Sequence, residues 1–408
     1  MSKQVFDRRE KTVSSIVNFH LRQDTPMWHF QCRNSGIQKG AILRGSDVKP
    51  RLDRFIINQM KKNRISWEKY RISRDHDALN YKIQIRALGE PTSHNMGDKA
   101  FFANMGKNID KELSVFYPGG IDVKIVCFIP ELLKQIKEHI GGFFLINNFG
   151  TRQDKGFGSF TVDKVENENY TINPDKVLAL YAVSEEYNAY RISTSGCSDD
   201  KTLDNAYVLY QLMKSGINYG KTYKKALLTE YMLSKGIGGE KRWMKKEKIA
   251  PNVRRGNGRE IISDERIPSD DVKDYRYIRA ILGVSGNQSW FTSIQDGYDR
   301  NNNPRYKKYG ISVGSKKIDR FQSPITITVT GDTLYFIAYN LNTDLFDKEF
   351  EFSNNSTEKR GSIKTPSEFD MEEFMDYCSS KVLNDRFSVG VNNYQFELTK
   401  LTLEVTEK

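Results

Sequence analysis

The chain of 408 residues is poor in the side chains that build disulfide and metal chemistry. Its four cysteines, Cys32, Cys127, Cys197 and Cys378, stand alone, with no CxxC pair and no Cys/His spacing of a zinc site. They read as reduced, mostly buried thiols, and neither a metal nor a cofactor is expected. Long apolar runs are missing as well: nothing approaches the ~18 residues that span a bilayer, and the charged start MSKQVFDRREK has no signal-peptide core. A cytoplasmic protein with no membrane partner is the expectation. Enzyme signatures are scarce too. There is no GxxxxGK[ST], HExxH or GxSxG pattern and no GGDD-like acidic pair, and the GKT ending at Thr222 lacks the first glycine of a P-loop.

Acidic residues are in deficit: 63 Lys and Arg face 52 Asp and Glu, a net charge of +11. The excess is concentrated in two stretches. Residues 39–74 hold eleven basic and three acidic side chains, and residues 206–260 hold thirteen and four. Charge segregated in this way suits a polyanionic partner. Within the second stretch, KGIGGEKRWMKKEK sets Trp243 among Lys241, Arg242, Lys245 and Lys246. An aromatic among cations can stack on an unpaired base while its neighbours hold phosphates, or it can anchor a loop to a core.

A chain of this length outgrows a single hydrophobic core, so two or three domains are expected. Val13 to Phe30 reads as a strand, a turn at Asp24-Thr25-Pro26 and a second extended piece. Ser46 or Asp47 is placed to cap a helix whose apolar residues Val48, Leu52, Phe55, Ile56 and Met60 recur at helical spacing, with Arg51, Arg54, Asn58 and Lys61 along one flank. Val123 to Phe128 reads as a strand, and a helix from Glu131 can break at Gly141-Gly142. Strand, helix, strands, helix, strand is the order of a ferredoxin-like α+β domain. The middle is read as helical over Lys176–Tyr190, Ala206–Lys214 and Tyr223–Ser234. Ile325–Thr330 and Thr333 onward then form a hairpin about Gly331-Asp332, a helix covers Pro366–Val382, and a final strand slips by one residue near Thr399.

The segment GGFFLINNFGTRQDKGFGSF, 141–160, passes from an apolar run into a loop with Gly150, Gly156 and Gly158 around Arg152 and Lys155. Glycines admit positive φ and close backbone approach, and the cations supply phosphate partners. Five histidines are the candidates for a general base. His20 and His29 lie in strand regions where a structural role is more common, His76 in a polar turn, His94 in a loop and His139 on a helix surface.

Two landmarks occur together: Thr25-Pro26 with Leu43-Arg44-Gly45-Ser46, Lys49, Leu52 and Arg54, and then Gly150, Arg152, Gly156, Phe157, Gly158 and Ser159. Together they resemble the RAMP superfamily of CRISPR-associated RNA-binding proteins, most of all the two-domain first subunit of the type III-B RAMP module. Arg320 to Ile327 looks like that family's strand opening in a second domain. The resemblance implies an α+β protein of two ferredoxin-like (RRM-like) domains, and the chain's own pattern places a helical, basic insertion between them, whose KGIGGEKRWMKKEK stretch has no counterpart in that family. The boundaries expected are 1–170, 171–274 and 275–408. It implies a non-catalytic subunit of a type III-like antiviral complex that grips guide or target RNA beside other RAMP-type subunits. The RNA-binding residues expected are Arg44, Gly45, Ser46, Lys49, Arg54, Gly150, Arg152, Lys155, Gly156 and Gly158, with Lys241, Arg242, Trp243 and Lys245 as a peripheral surface. The alternative is a metal-independent RAMP endoribonuclease that processes guide RNA.

Overall fold

The computed structural model describes residues 15–27, 29–31, 36–37, 42–94, 114–195, 202–219, 222–253, 260–262, 272, 274–284, 286–298, 300, 302, 304–318, 321–383, 387–389 and 392–403. Expectations attached to Cys32, Cys197, Lys39, Lys221, Arg254, Arg255, Arg259, Arg320 and the charged N-terminus lie outside those residues. Two compact units are present: Met1–Gln153 with Phe157–Ser184, and Asp154–Gly156 with Glu185–Lys408.

In the first unit, β1 (Ile16–Gln23) leads through α1 (Gly45–Lys62) to β2 (Lys82–Ala87) and β3 (Ile121–Val126). Then come α2 (Pro130–Ile146), β4 (Phe160–Val165), β5 (Glu168–Asn169) and α3 (Pro174–Glu185). The strands form one antiparallel sheet in the order β5-β4-β1-β3-β2. β1 alternates: Val17, Phe19 and Leu21 are buried, while Asn18 and Arg22 are exposed. α1 buries the five apolar residues expected from the spacing, and α2 buries Leu132, Leu133, Ile136, Ile140, Phe143 and Phe144.

Two local expectations are corrected here. Arg44, not Ser46 or Asp47, is the N-cap of α1, and the helix starts at Gly45. Pro50 therefore falls in the second turn, where it offers no N–H to the Ser46 carbonyl. α2 runs unbroken through Gly141-Gly142, because those glycines serve packing. A Cβ on Gly141 would lie 2.8 Å from the Tyr170 hydroxyl, and one on Gly142 would lie 2.1 Å from Tyr181 Cε2.

In the second unit, β6 (Tyr187–Ser195) precedes α4 (Thr202–Lys214), α5 (Leu227–Ser234) and α6 (Glu240–Lys246). There follow β7 (Asn287–Tyr298), β8 (Pro304–Gly314), β9 (Ile325–Thr330), β10 (Thr333–Tyr339), β11 (Glu349–Asn354) and β12 (Arg360–Lys364). The last elements are α7 (Met371–Leu383), β13 (Phe387–Val389) and β14 (Asn392–Lys400). One antiparallel sheet runs β9-β10-β6-β14-β13 and another β7-β8-β11-β12. The β9–β10 hairpin turns at Gly331-Asp332 as its sequence predicts, with Gly331 at φ 58°.

The stretch 171–274 is not a body of its own. α3 falls in the first unit. Tyr187–Tyr190, read as helix, open β6, which pairs with β10 on one side and β14 on the other. Pairing on both edges outweighs the local helical preference. No bulge interrupts β14 near Thr399: its register with β6 is continuous from Gln395 to Lys400, and the apolar phase changes because the strand ends there. Tyr309–Gly314, whose two glycines resemble a loop in sequence, lies within β8. Among the described residues no helix is long and apolar enough to cross a membrane, and no group of three or more His, Cys, Asp or Glu is placed to hold a metal. Cys127 and Cys378 are free and buried.

Candidate nucleic-acid interface

The loop after α2 is fastened at both ends within the first unit. Gly158 donates its N–H to Pro26 O at 3.0 Å and accepts from Phe149 N at 2.9 Å. Ser159 N donates to Thr25 Oγ1 at 2.9 Å, and Ser159 Oγ donates to Asn148 Oδ1 at 2.8 Å. The Thr25-Pro26 turn and the glycine loop, 134 positions apart at the Thr25–Ser159 bond, thus form one structure. Gly158 has to be glycine: it sits at φ 70°, and a Cβ would lie 1.9 Å from Phe149 O. Gly150 and Gly156 also have positive φ, as does Arg152 at 58°, a backbone state that costs a non-glycine residue on the order of 1 kcal/mol or more.

Arg51 joins this loop to α1. Its Nη1 donates to Asn148 O at 2.7 Å, its Nη2 to Gln153 Oε1 at 2.5 Å, and its guanidinium lies 5.2 Å from the Phe149 ring centroid. Sequence reading placed Arg51 on the cationic flank but not in the site. The i+3 relation to Val48 and the Asn-rich stretch after α2 were the available signals. The first turn of α1 has no side-chain cap, so its leading N–H groups carry the positive end of the helix dipole. Ser46 in that turn is exposed and Arg44 before it half-buried, while Arg54 is exposed further along the helix. Arg152 is half-buried, its guanidinium 5.8 Å from the Phe157 ring centroid.

Other expected residues are turned to internal work. Lys49 Nζ donates to Asp53 Oδ2 at 2.8 Å and to Leu79 O at 2.9 Å, and lies 4.2 Å from the centroid of the Tyr81 ring. Lys155 belongs to the second unit, where its Nζ pairs with Asp154 at 2.8 Å and stands 3.4 Å over the Tyr210 ring. Gly156 lies in the same unit, and a Cβ there would come within 3.0 Å of Leu203 Cδ2. On α6, Trp243 packs edge-on against Phe352 with centroids 5.9 Å apart, so it anchors the helix to the core. Burial, reinforced by Arg279, pushes the Lys241 ammonium down to about 8. Arg242 is half-buried and Lys245 exposed.

The histidines follow the same pattern. His20 Nδ1 shares a 2.5 Å hydrogen bond with Asp163 Oδ1, and Nε2 meets Gly119 O at 2.9 Å. Burial alone would lower its pKa, but the Asp163 and Gly119 hydrogen bonds together with the charges of Asp163 and Asp122 raise it. His29 Nε2 meets Ile42 O at 2.9 Å. His139 is buried rather than on the helix surface, its Nδ1 2.7 Å from the Tyr181 hydroxyl, and burial lowers its pKa. His76 is exposed and, rather than lying in the turn, opens the short strand His76–Leu79 opposite Ser73, and His94 ends the strand Thr92–His94.

An antiparallel sheet in each of two units, a glycine loop tied to the Thr25-Pro26 turn and to α1, and a basic helix flank agree with the RAMP superfamily of CRISPR-associated proteins, and two family models establish that class. The model of the Cmr1 N-terminal domain matches residues 14–217 and that of the Cmr1 C-terminal domain residues 223–400; the chain belongs to the Cmr1 family. Among solved structures it is similar to Cmr1 from Pyrococcus furiosus in the apo form, with 11% identity and a TM-score of 0.41 over 95% of this chain and 98% of that one. It is also similar to a chain of the type III-B Cmr-beta complex bound to cognate target RNA, with 13% identity and a TM-score of 0.26 over 37% of this chain and 59% of that one. Among curated proteins none matches.

Proposed function

We propose that the chain is a non-catalytic, RNA-binding subunit of a type III CRISPR effector complex and that its first unit grips guide or target RNA. The observation that carries this reading is the Arg51 clamp, which ties the glycine loop to α1, a helix whose first turn has no side-chain cap and so suits an anion. Arg44, Gly45, Ser46, Arg54 and Arg152 are assigned to the sugar-phosphate chain, and Gly150 and Gly158 to the shape of the loop. Lys49 and Lys155 are assigned to internal support. The net charge and the family support an RNA partner and a place among other RAMP-type subunits.

Strand order supports a ferredoxin-like reading of both main sheets. Counting β1, β2, β3 and β4 in the first unit, and β6, β9, β10 and β14 in the second, each sheet runs 4-1-3-2, with helices following the first and third strands. The site is tested with Arg54→Ala combined with Arg152→Ala in the full chain. Single-stranded RNA binding is expected to weaken by about 1–3 kcal/mol with the melting curve unchanged. Wild-type affinity in that variant would remove the assignment.

A further inference from the structure

The smaller sheet of the second unit carries a ribbon that outgrows it. β8 pairs with β11 only from Ile311 to Gly314, while its pairing with β7 continues out to Pro304. Every residue from Ser293 to Tyr298 is exposed, as are Pro304, Arg305, Lys307 and Lys308 on the facing strand. Directly opposed residues of an antiparallel pair share a face. Phe291 stands opposite Lys308, Gln295 opposite Tyr306, and Tyr298 opposite Pro304. Phe291, Tyr306, Tyr298 and Lys308 therefore line one face, the face opposite that of Tyr309, Ile311 and Val313, which are buried in the core. Lys308 Nζ lies 4.5 Å over the Phe291 ring. Arg305 and Lys307 occupy the other face, where Arg305 donates through Nε to Asp296 O at 3.0 Å and lies 3.9 Å from the Asp296 carboxylate.

Tyr298 is 62% exposed and Ile294 39%. Aromatic and aliphatic surface held out on a ribbon, rimmed by cations, is the composition of a contact surface rather than of a solvated edge. From Ile294 to Lys308 the segment holds four basic residues, Arg300, Arg305, Lys307 and Lys308, against Asp296 and Asp299.

We propose that the β7–β8 ribbon is a second RNA contact, on which bases of a single strand stack against Tyr298 and Tyr306 while Lys308, on the same face, holds a phosphate. A single strand is required because bases inside a duplex offer no free π-face to a side chain. This inference rests on the RNA-binding reading above but on none of the residues assigned to the first unit.

The full chain is titrated against a labelled oligoadenylate over a range of salt, with thermal unfolding as the control for fold. Tyr298→Ala combined with Tyr306→Ala is expected to weaken binding about tenfold and leave the salt slope unchanged. Lys308→Ala is expected to reduce the slope of log K against log salt by about 0.7, the loss of one phosphate contact on a single strand. Wild-type affinity and slope in both ribbon variants would overturn the inference, as would equal losses on single-stranded and duplex RNA. Ribbon variants that bind RNA normally but no longer capture an acidic protein partner would overturn it in favour of a protein contact. If the ribbon variants are normal while Arg54→Ala with Arg152→Ala is impaired, the ribbon falls and the first site stands; the reverse pattern leaves the ribbon standing alone. A wild-type chain that ignores RNA at low salt sinks both.

Discussion

Arg51 holds two parts of one loop with a single guanidinium, and it shows what charge counting leaves undecided. Arg51, Lys49 and Arg54 lie within two turns of α1, yet Arg51 closes the glycine loop, Lys49 is spent on Asp53 and a carbonyl, and Arg54 faces water. The two Arg51 hydrogen bonds are charge-assisted, and removing a charged donor from a half-buried site costs about 1.5–3 kcal/mol. Arg51→Ala is therefore expected to lower unfolding free energy by that amount and to speed amide exchange over residues 148–153. Arg51→Lys should recover less than half of the loss, because an ammonium cannot span both acceptors. Denaturant unfolding with hydrogen exchange reads both effects. Unchanged exchange would assign the loop's order to Thr25 and Gly158 alone.

At the scale of the element, α2 makes a prediction that runs against helix propensity. Alanine within a helix is favoured over glycine by about 0.5–1 kcal/mol. At Gly142, however, a Cβ would meet the Tyr181 ring at 2.1 Å. Gly142→Ala is expected to destabilise the wild-type chain by about 1–3 kcal/mol, and to cost less, or to stabilise, when compared within a Tyr181→Ala background. Thermal melts of the single and double variants are sufficient. Such contacts also mark where sequence reading stops. The buried stripe of α1, the strand–turn at Asp24-Thr25-Pro26 and the β9–β10 hairpin were legible because short-range periodicity and turn chemistry specify them. The continuity of α2 and the strand character of Tyr187–Tyr190 were not, since each depends on partners far along the chain: Tyr170 and Tyr181 for the first, β10 and β14 for the second. In the site, the glycines and their positive φ were legible. The inward commitment of Lys49, Lys155 and Trp243 was not, because composition reveals that a charge or ring is present and says nothing of the direction in which it points.

At the scale of the whole molecule, the second unit is discontinuous, taking Asp154–Gly156 from well before its main body. Within that unit Lys155 stands over the Tyr210 ring, and Ile327 N donates to Asp154 O at 3.2 Å. A fragment beginning at Glu185 lacks both contacts and is expected to melt several degrees below the same unit in the intact chain, as followed by near-ultraviolet circular dichroism. An identical midpoint would make those three residues dispensable. β6 opens this unit and pairs with β14, with Tyr190 opposite Lys400. During translation at about 5–20 residues per second, roughly ten to forty seconds separate the emergence of these two partners. Throughout that interval the edge of β6 that β14 will close has its amides and carbonyls open to water, so pairing with a wrong strand competes there.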